Sequence, residues 1–186
     1  MIIESNILNP ILWEAFSGNV TWLEASNRYP VDDFIDTFYA TRGILQKMLT
    51  DLTDVEAWFA SAVHPFWSIS ETITHLIYSQ GFYHNKLLDI TTSQLPHRLE
   101  AARGFGEGAK TNVSAALLRT SLDDASRQIR VAIEGTRHTY NPETIEHNTL
   151  FGDCTYRTWM LLLLGHEVDH LRQAIIMRRT ARRETQ

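Results

Sequence analysis

Two histidines lie four residues apart near the C-terminus, within the sequence His166-Glu167-Val168-Asp169-His170. Four residues make roughly one turn of an α-helix, so both imidazoles leave the same face of such a helix. A histidine pair at this spacing can chelate one metal ion. The spacing therefore indicates metal chemistry, and the alternative is that both rings are bonded to other buried polar groups.

The segment around the pair has the composition of a long helix. From Thr155 to Arg179 there is no proline and only one glycine, and the helix formers Leu and Met are frequent. Residues at every third or fourth position form a stripe that should face inward, and both histidines belong to it. The stripe consists of Trp159, Leu163, His166, His170, Gln173 and Met177.

A third ligand is predicted on an earlier helix. Ser68 followed three residues later by Glu71 is a capping box, which predicts a helix from there to about Ile90. His75 lies one turn after Glu71, on a half-polar stripe that the neighbouring residues suggest is buried. A buried polar group needs a partner. His75 is therefore the candidate third ligand beside the C-terminal pair.

Three protein ligands with one open position are typical of a catalytic metal site, whereas structural sites close all four positions. A site made of several thiolates is excluded because Cys154 is the only cysteine. Imidazole ligands suit a divalent transition metal such as Zn, Ni or Fe, and also Cu, and the sequence does not choose among them. Such an ion would lower the pKa of a bound water or thiol.

Other residues are weaker candidates for the site. Glu71 could act as a base or hold a ligand in place, although its role in the capping box is the favoured interpretation. Tyr78 and Gln173 could line the pocket or simply pack in the interior. His84 lies nine residues after His75, on the opposite side of the same helix, and is excluded as a ligand. Cys154 is expected to be a spectator, the alternative being a lowered thiol pKa near a helix start.

The same C-terminal sequence also fits the H-E-x-x-H signature of zinc peptidases, in which Glu167 would be the general base. A downstream third ligand would then have to be Glu184, because no histidine follows His170. The chain also lacks a strand pattern that could form a substrate-binding edge. A peptidase therefore stays a minor alternative, and a metal-stabilised bundle with a binding role is the non-catalytic one.

Composition limits the possible classes. The 186 residues predict a single domain, residues 1–186, and 44% hydrophobic residues fit an ordinary soluble core. The net charge of −5 gives no reason to expect nucleic acid or acidic lipid as a partner. Since neither a signal peptide nor a membrane span is apparent, we expect a cytoplasmic protein that acts on a small molecule.

The rest of the chain predicts further helices and no useful strand pattern. Residues 104–111 imitate a phosphate loop, but Ala109 stands where glycine is required, so a loop over residues 91–113 is expected instead. Short segments at 145–149 and 154–156 are interpreted as loop. The fold class that follows is an all-α four-helix bundle with short extra N-terminal helical segments. Helices are predicted at about 10–16, 21–27, 32–52 and 115–136, with one turn near 56–59.

Two blocks of sequence resemble the DinB-like (YfiT-type) family of metal-dependent four-helix-bundle enzymes. They are residues 67–76, which run from Trp67 to His75-Leu76, and residues 166–173 on the last helix. The family layout covers about residues 30–180. The resemblance implies a bundle that is commonly a homodimer, and a metal held by His75, His166 and His170. Relatives of this kind include S-transferases and isomerases that use bacillithiol or mycothiol, which implies a low-molecular-weight thiol as cosubstrate.

Overall fold

The structure is a computed structural model, and it describes residues 1–64, 66–90 and 112–184. The described chain is helical apart from one small hairpin, which confirms the all-α prediction. The four longest helices, α3, α5, α6 and α7, form a bundle, and each packs against two of the others. The elements in chain order are α1 (Ser5–Phe16), α2 (Trp22–Ser26), α3 (Val31–Leu49), α4 (Asp54–Trp58), α5 (Ile69–Asp89), α6 (Ala115–Thr136), β1 (Glu146–Asn148), β2 (Gly152–Cys154) and α7 (Tyr156–Glu184).

Contacts along the helices fix their directions. Helices α5 and α7 are antiparallel, because Trp67, just before α5, packs on His170 at the middle of α7. At the other end of this pair Tyr83 packs on Trp159. Helices α5 and α6 run in the same direction, since Ser70 bonds Val113 and, further along, Gln80 bonds Ala125. The candidate ligands on α5 and α7 therefore face one another across the α5–α7 interface.

Local sequence explains where the helices begin. Capping boxes start three of them, and the one formed by Ser68 and Glu71 was predicted from the sequence. Ser114 caps α6 by accepting a hydrogen bond from the backbone N–H of Leu117. Helices α5 and α6 therefore have bounds close to those predicted, because their N-terminal signals are strong.

The interior of the bundle consists of two apolar clusters stacked along its length. One contains Phe34 and Phe38 of α3 together with Trp159 and Leu161–Leu164 of α7. The other contains Leu45 and Leu49 of α3 and the later α7 residues Leu171, Ala174 and Met177. In each of the four long helices a few residues between the two clusters are polar, among them His166 and His170 of α7, and His75 of α5 lies beside this middle level, between Ile73 and Leu76 of the second cluster.

Several predicted boundaries were wrong. Helix α1 begins at Ser5 and contains Pro10, rather than starting there, because Leu8, Ile11 and Leu12 form one continuous buried face. Residues 146–148 and 152–154 form an antiparallel hairpin rather than a loop. Gly152 allows this turn with a φ of +76°. The predicted loop at 91–113, including the phosphate-loop imitation, lies almost entirely outside the described residues.

Candidate metal centre

Three histidines from two helices converge at the middle level of the bundle. His75 comes from α5, and His166 and His170 come from successive turns of α7. One ring nitrogen from each lies within 4.8 Å of the others, so this cluster could hold a metal ion. The Nε2 atoms of His75 and His166 are 2.9 Å apart. Nitrogens about 2.1 Å from a tetrahedral zinc ion lie about 3.4 Å apart, so the spacing is close to that of a ligand set.

Burial keeps the three rings neutral, which is the form that binds a metal. Burial lowers the pKa of His75 to about 4, and the neighbouring His170 adds to the effect. Burial also lowers the pKa of His166 well below its usual value, with further repulsion from His170, His75 and Arg42. For His170 burial again lowers the pKa, while Asp169 and Gln173 oppose this in part. Each imidazole therefore offers a lone pair at neutral pH.

One ring atom of the cluster has no hydrogen-bond partner. The Nδ1 atom of His170 is buried and unbonded within the described structure. An unpaired buried nitrogen costs on the order of 1–3 kcal/mol. Three neutral imidazoles are also a donor set that suits a divalent transition metal, so these residues fit a metal by chemistry as well as by spacing.

Aromatic rings surround the histidines. The indole of Trp67 is nearly parallel to the ring of His170, at 6.0 Å between centroids, and meets His75 edge-on at 4.9 Å. Tyr83 lies on the other side, with its ring centroid 5.6 Å from that of His166. Apolar walls of this kind exclude water and strengthen electrostatic interactions inside the site.

The weaker candidates have other roles or lie further out. The Glu71 carboxylate accepts a hydrogen bond of 2.8 Å from the backbone N–H of Ser68, as the capping interpretation requires. Tyr78 is 48% exposed. The Gln173 amide donates to Asp169 Oδ2 at 2.8 Å beside the cluster. Glu71 is not among the residues that could share an ion with the histidines.

The carboxylate of Glu167 is not free to act as a base beside the histidines. Both of its oxygens accept hydrogen bonds from Arg42, at 2.5 Å from Nε and 2.9 Å from a terminal nitrogen. Glu184 lies fourteen residues beyond His170 at the exposed end of α7, about 21 Å away along a helix. The geometry therefore contradicts the peptidase alternative, which needs Glu167 free and Glu184 close.

Sequence reasoning missed two residues near the site, Arg42 and Trp67. Trp67 was noticed only as part of a resemblance, since nothing in its spacing showed that it covers two of the rings. Arg42 did leave a signal. It lies between Phe38 and Leu45 at helical spacing, so a charged residue stands on an apolar stripe and requires a buried partner.

The surroundings of Cys154 decide between the two interpretations of its thiol. Cys154 is fully buried, and burial raises the pKa of its thiol to about 12, so the alternative of an activated thiol was wrong.

None of the helices in the described ranges combines the length and apolar character that crossing a bilayer requires.

Comparison with known proteins identifies the family of this chain. The family model described as the DinB superfamily matches residues 37–174, a span that contains all three histidines and most of the chain. No curated protein and no solved structure matches this chain.

Proposed function

The chain belongs to the DinB superfamily, and we propose that it is an enzyme whose three histidines hold a divalent transition metal for group transfer to a small molecule. The observation that carries this proposal is the convergence of His75, His166 and His170 at the middle of the bundle. Three neutral nitrogen ligands leave a coordination position open for a substrate. When bound, such an ion supplies Lewis-acid chemistry and lowers the pKa of a thiol or a water.

Two nearby carboxylates are already engaged in other hydrogen bonds, and this favours a thiol over water as the nucleophile. Glu71 is held in its capping box and Glu167 by Arg42. The cluster that could hold the ion contains only histidines among the described residues. A thiol with a pKa of about 8.5 needs far less assistance to ionise than water does. We therefore propose thiol-dependent transfer, with a low-molecular-weight thiol as cosubstrate, ahead of hydrolysis.

The chain's own residues would orient the reactants. Trp67 and Tyr83 wall the cluster on two sides and restrict how a substrate approaches His75 and His166. Neutral imidazoles do not repel a cation, and burial lowers the pKa of each ring, which keeps all three neutral at neutral pH. The small-molecule substrate, the homodimeric assembly and the cytoplasmic location belong to the same proposal, and its support is the family resemblance together with the acidic net charge.

The decisive experiment begins with elemental analysis of protein purified without a histidine tag. We expect close to one transition-metal ion per chain. Consumption of bacillithiol, mycothiol, glutathione and cysteine is then measured against an activated electrophile, before and after treatment with a chelator. Metal without activity toward any thiol or ester substrate would favour the non-catalytic, metal-stabilised bundle. Protein without metal, even after incubation with Zn²⁺, Ni²⁺ or Fe²⁺, would overturn the proposal.

A further inference from the structure

One polar side chain from each long helix meets at the centre of the bundle. Arg42 of α3 pairs with Glu167 of α7 through two hydrogen bonds. Its remaining terminal nitrogen donates to Gln80 Oε1 of α5 at 2.9 Å and to Ser126 Oγ of α6 at 3.1 Å. The Gln80 amide in turn donates to the backbone carbonyl of Ala125 at 2.6 Å. This group of four side chains, Arg42, Gln80, Ser126 and Glu167, is called the central polar layer below.

Stability alone is a poor explanation for this layer. Arg42 and Glu167 are 3% and 0% exposed, so both charges have left water. Removing an ion from water is costly, and apolar residues of similar size often stabilise a protein as well or better. A buried pair of this kind is better explained by specificity, because it favours one arrangement of the helices that carry it.

The leucine run of α7 does not by itself define the rotation of this helix. Leu161, Leu162, Leu163 and Leu164 follow one another and are all buried, so this part of the helix has no polar face. An apolar surface of this kind does not distinguish one rotation from its neighbours, and a polar contact that only one rotation allows can specify it. The central polar layer lies between the two apolar clusters, at the level where α7 changes from this run to the histidines.

Glu167 directly follows His166, and the two side chains leave α7 about 100° apart. While Glu167 is directed at Arg42, His166 and His170 are directed at His75 on α5. A rotation of α7 by one residue would break both bonds to Arg42 and turn both rings away from His75. The direction of Glu167 and the aim of the two histidines are thus set by the same rotation of the helix.

We propose that Arg42 is a positioning residue for the metal centre. Acting through Glu167, it fixes the rotation and level of α7 so that His166 and His170 meet His75. This inference rests on the proposed metal site. It adds Arg42, a residue on a third helix that is not itself a ligand.

The test replaces the pair by apolar residues of similar size, in the double variant Arg42→Met with Glu167→Leu. Three quantities are measured: unfolding of the metal-free protein by urea, affinity for Zn²⁺, and the visible spectrum of the Co²⁺-loaded protein. We expect metal-free stability to be kept or increased, and Zn²⁺ affinity to fall by about 10- to 100-fold, as when groups behind metal ligands are removed. The Co²⁺ spectrum should also change, because the ligands are no longer held in one geometry.

A second Arg–carboxylate pair, between α7 and the residues just after α3, supplies the control. Arg178 of α7 bonds Asp51 at 2.7 Å, and it lies eight residues, about two helical turns, beyond His170. Arg178→Met with Asp51→Asn should leave both Zn²⁺ affinity and the Co²⁺ spectrum unchanged. Should the central double variant fail to fold, Arg42→Lys keeps the charge but loses the fork of donors, and its Zn²⁺ affinity should fall as well.

Zn²⁺ affinity and a Co²⁺ spectrum equal to those of the wild type in the central variants would overturn the positioning role. That result differs from failure of the proposed function, in which the wild-type protein itself takes up no metal.

Discussion

The indole of Trp67 lies almost parallel to the imidazole of His170, with 7° between the planes and 6.0 Å between the centroids. Trp67 thereby packs on a candidate ligand although it precedes α5 and His170 lies at the middle of α7. The indole also meets the ring of His75 edge-on, at 4.9 Å between centroids. The tryptophan is therefore a natural reporter of whatever binds there.

Binding of a paramagnetic ion should quench the fluorescence of Trp67. We expect Co²⁺ or Ni²⁺ to reduce tryptophan emission of the wild type in a saturable titration. The variant Trp67→Phe keeps an aromatic ring on His170 and should lose most of this quenching. Trp13→Phe is the matched control, because Trp13 is 71% exposed on α1. Quenching of equal size in wild type and Trp67→Phe would show that the ion binds elsewhere.

Removal of one ring should abolish stable metal binding. His75→Ala leaves two ligands on α7, and we expect the metal content of the purified protein to fall from near one ion per chain to below about a tenth, since two ligands rarely retain an ion through purification. His84→Ala is the control on the same helix, because His84 is also buried but is not in the cluster. Elemental analysis of both untagged variants measures the difference. Equal metal content in the two variants would contradict the assignment of His75.

The metal-free protein should become less stable as the pH falls below about 6.5. The folded protein holds the pKa of His75 at about 4 against 6.5 for an unperturbed side chain, so the unfolded chain binds more protons between these values. Unfolding is favoured in that window, and His75 alone accounts for on the order of 3 kcal/mol when the pH reaches about 4. Well above pH 6.5 this group is neutral in both states and contributes no pH dependence.

Urea unfolding at a series of pH values measures this effect, and comparison with a variant separates it from the titration of carboxylates. His75→Gln should flatten the curve between pH 6.5 and 4, whereas His147→Gln should not, because His147 is exposed on the hairpin. Curves of the same slope for the wild type and His75→Gln would mean that the ring is not kept neutral by burial.

The helices were predictable where their signals are local. Ser68 and Glu71 define the start of α5, and an inward stripe at helical spacing defines the face of α7 that carries the histidines. The start of α1 was not predictable from Pro10, because burial of Leu8 on the bundle outweighs a proline signal. The hairpin after α6 was missed because its strands are three residues each and their sequences, Glu-His-Asn and Gly-Asp-Cys, do not alternate apolar with polar residues.

The sequence was enough to predict the three histidines of the site, but not the residues that surround them. The spacing of His166 and His170, the position of His75 and the family resemblance indicated the three rings. The pairing of Arg42 with Glu167 joins residues 125 positions apart, and only packing of α3 against α7 brings them together. No periodicity in either helix shows which partner a buried charge will find. From the sequence one could predict only that Arg42 needs a buried partner, and not which residues form the central polar layer with it.

The role of Glu71 can be tested by separating its hydrogen bond from its charge. The Ser68 hydroxyl accepts from the Glu71 N–H at 3.2 Å, and the Glu71 carboxylate accepts from the Ser68 N–H at 2.8 Å. If Glu71 serves the cap alone, Glu71→Gln retains both bonds and should change neither metal content nor thiol-transfer activity. Ser68→Ala removes one half of the box and should lower the free energy of unfolding by about 1 kcal/mol. A Glu71→Gln variant with wild-type stability but activity reduced by about 100-fold or more would instead identify Glu71 as a general base.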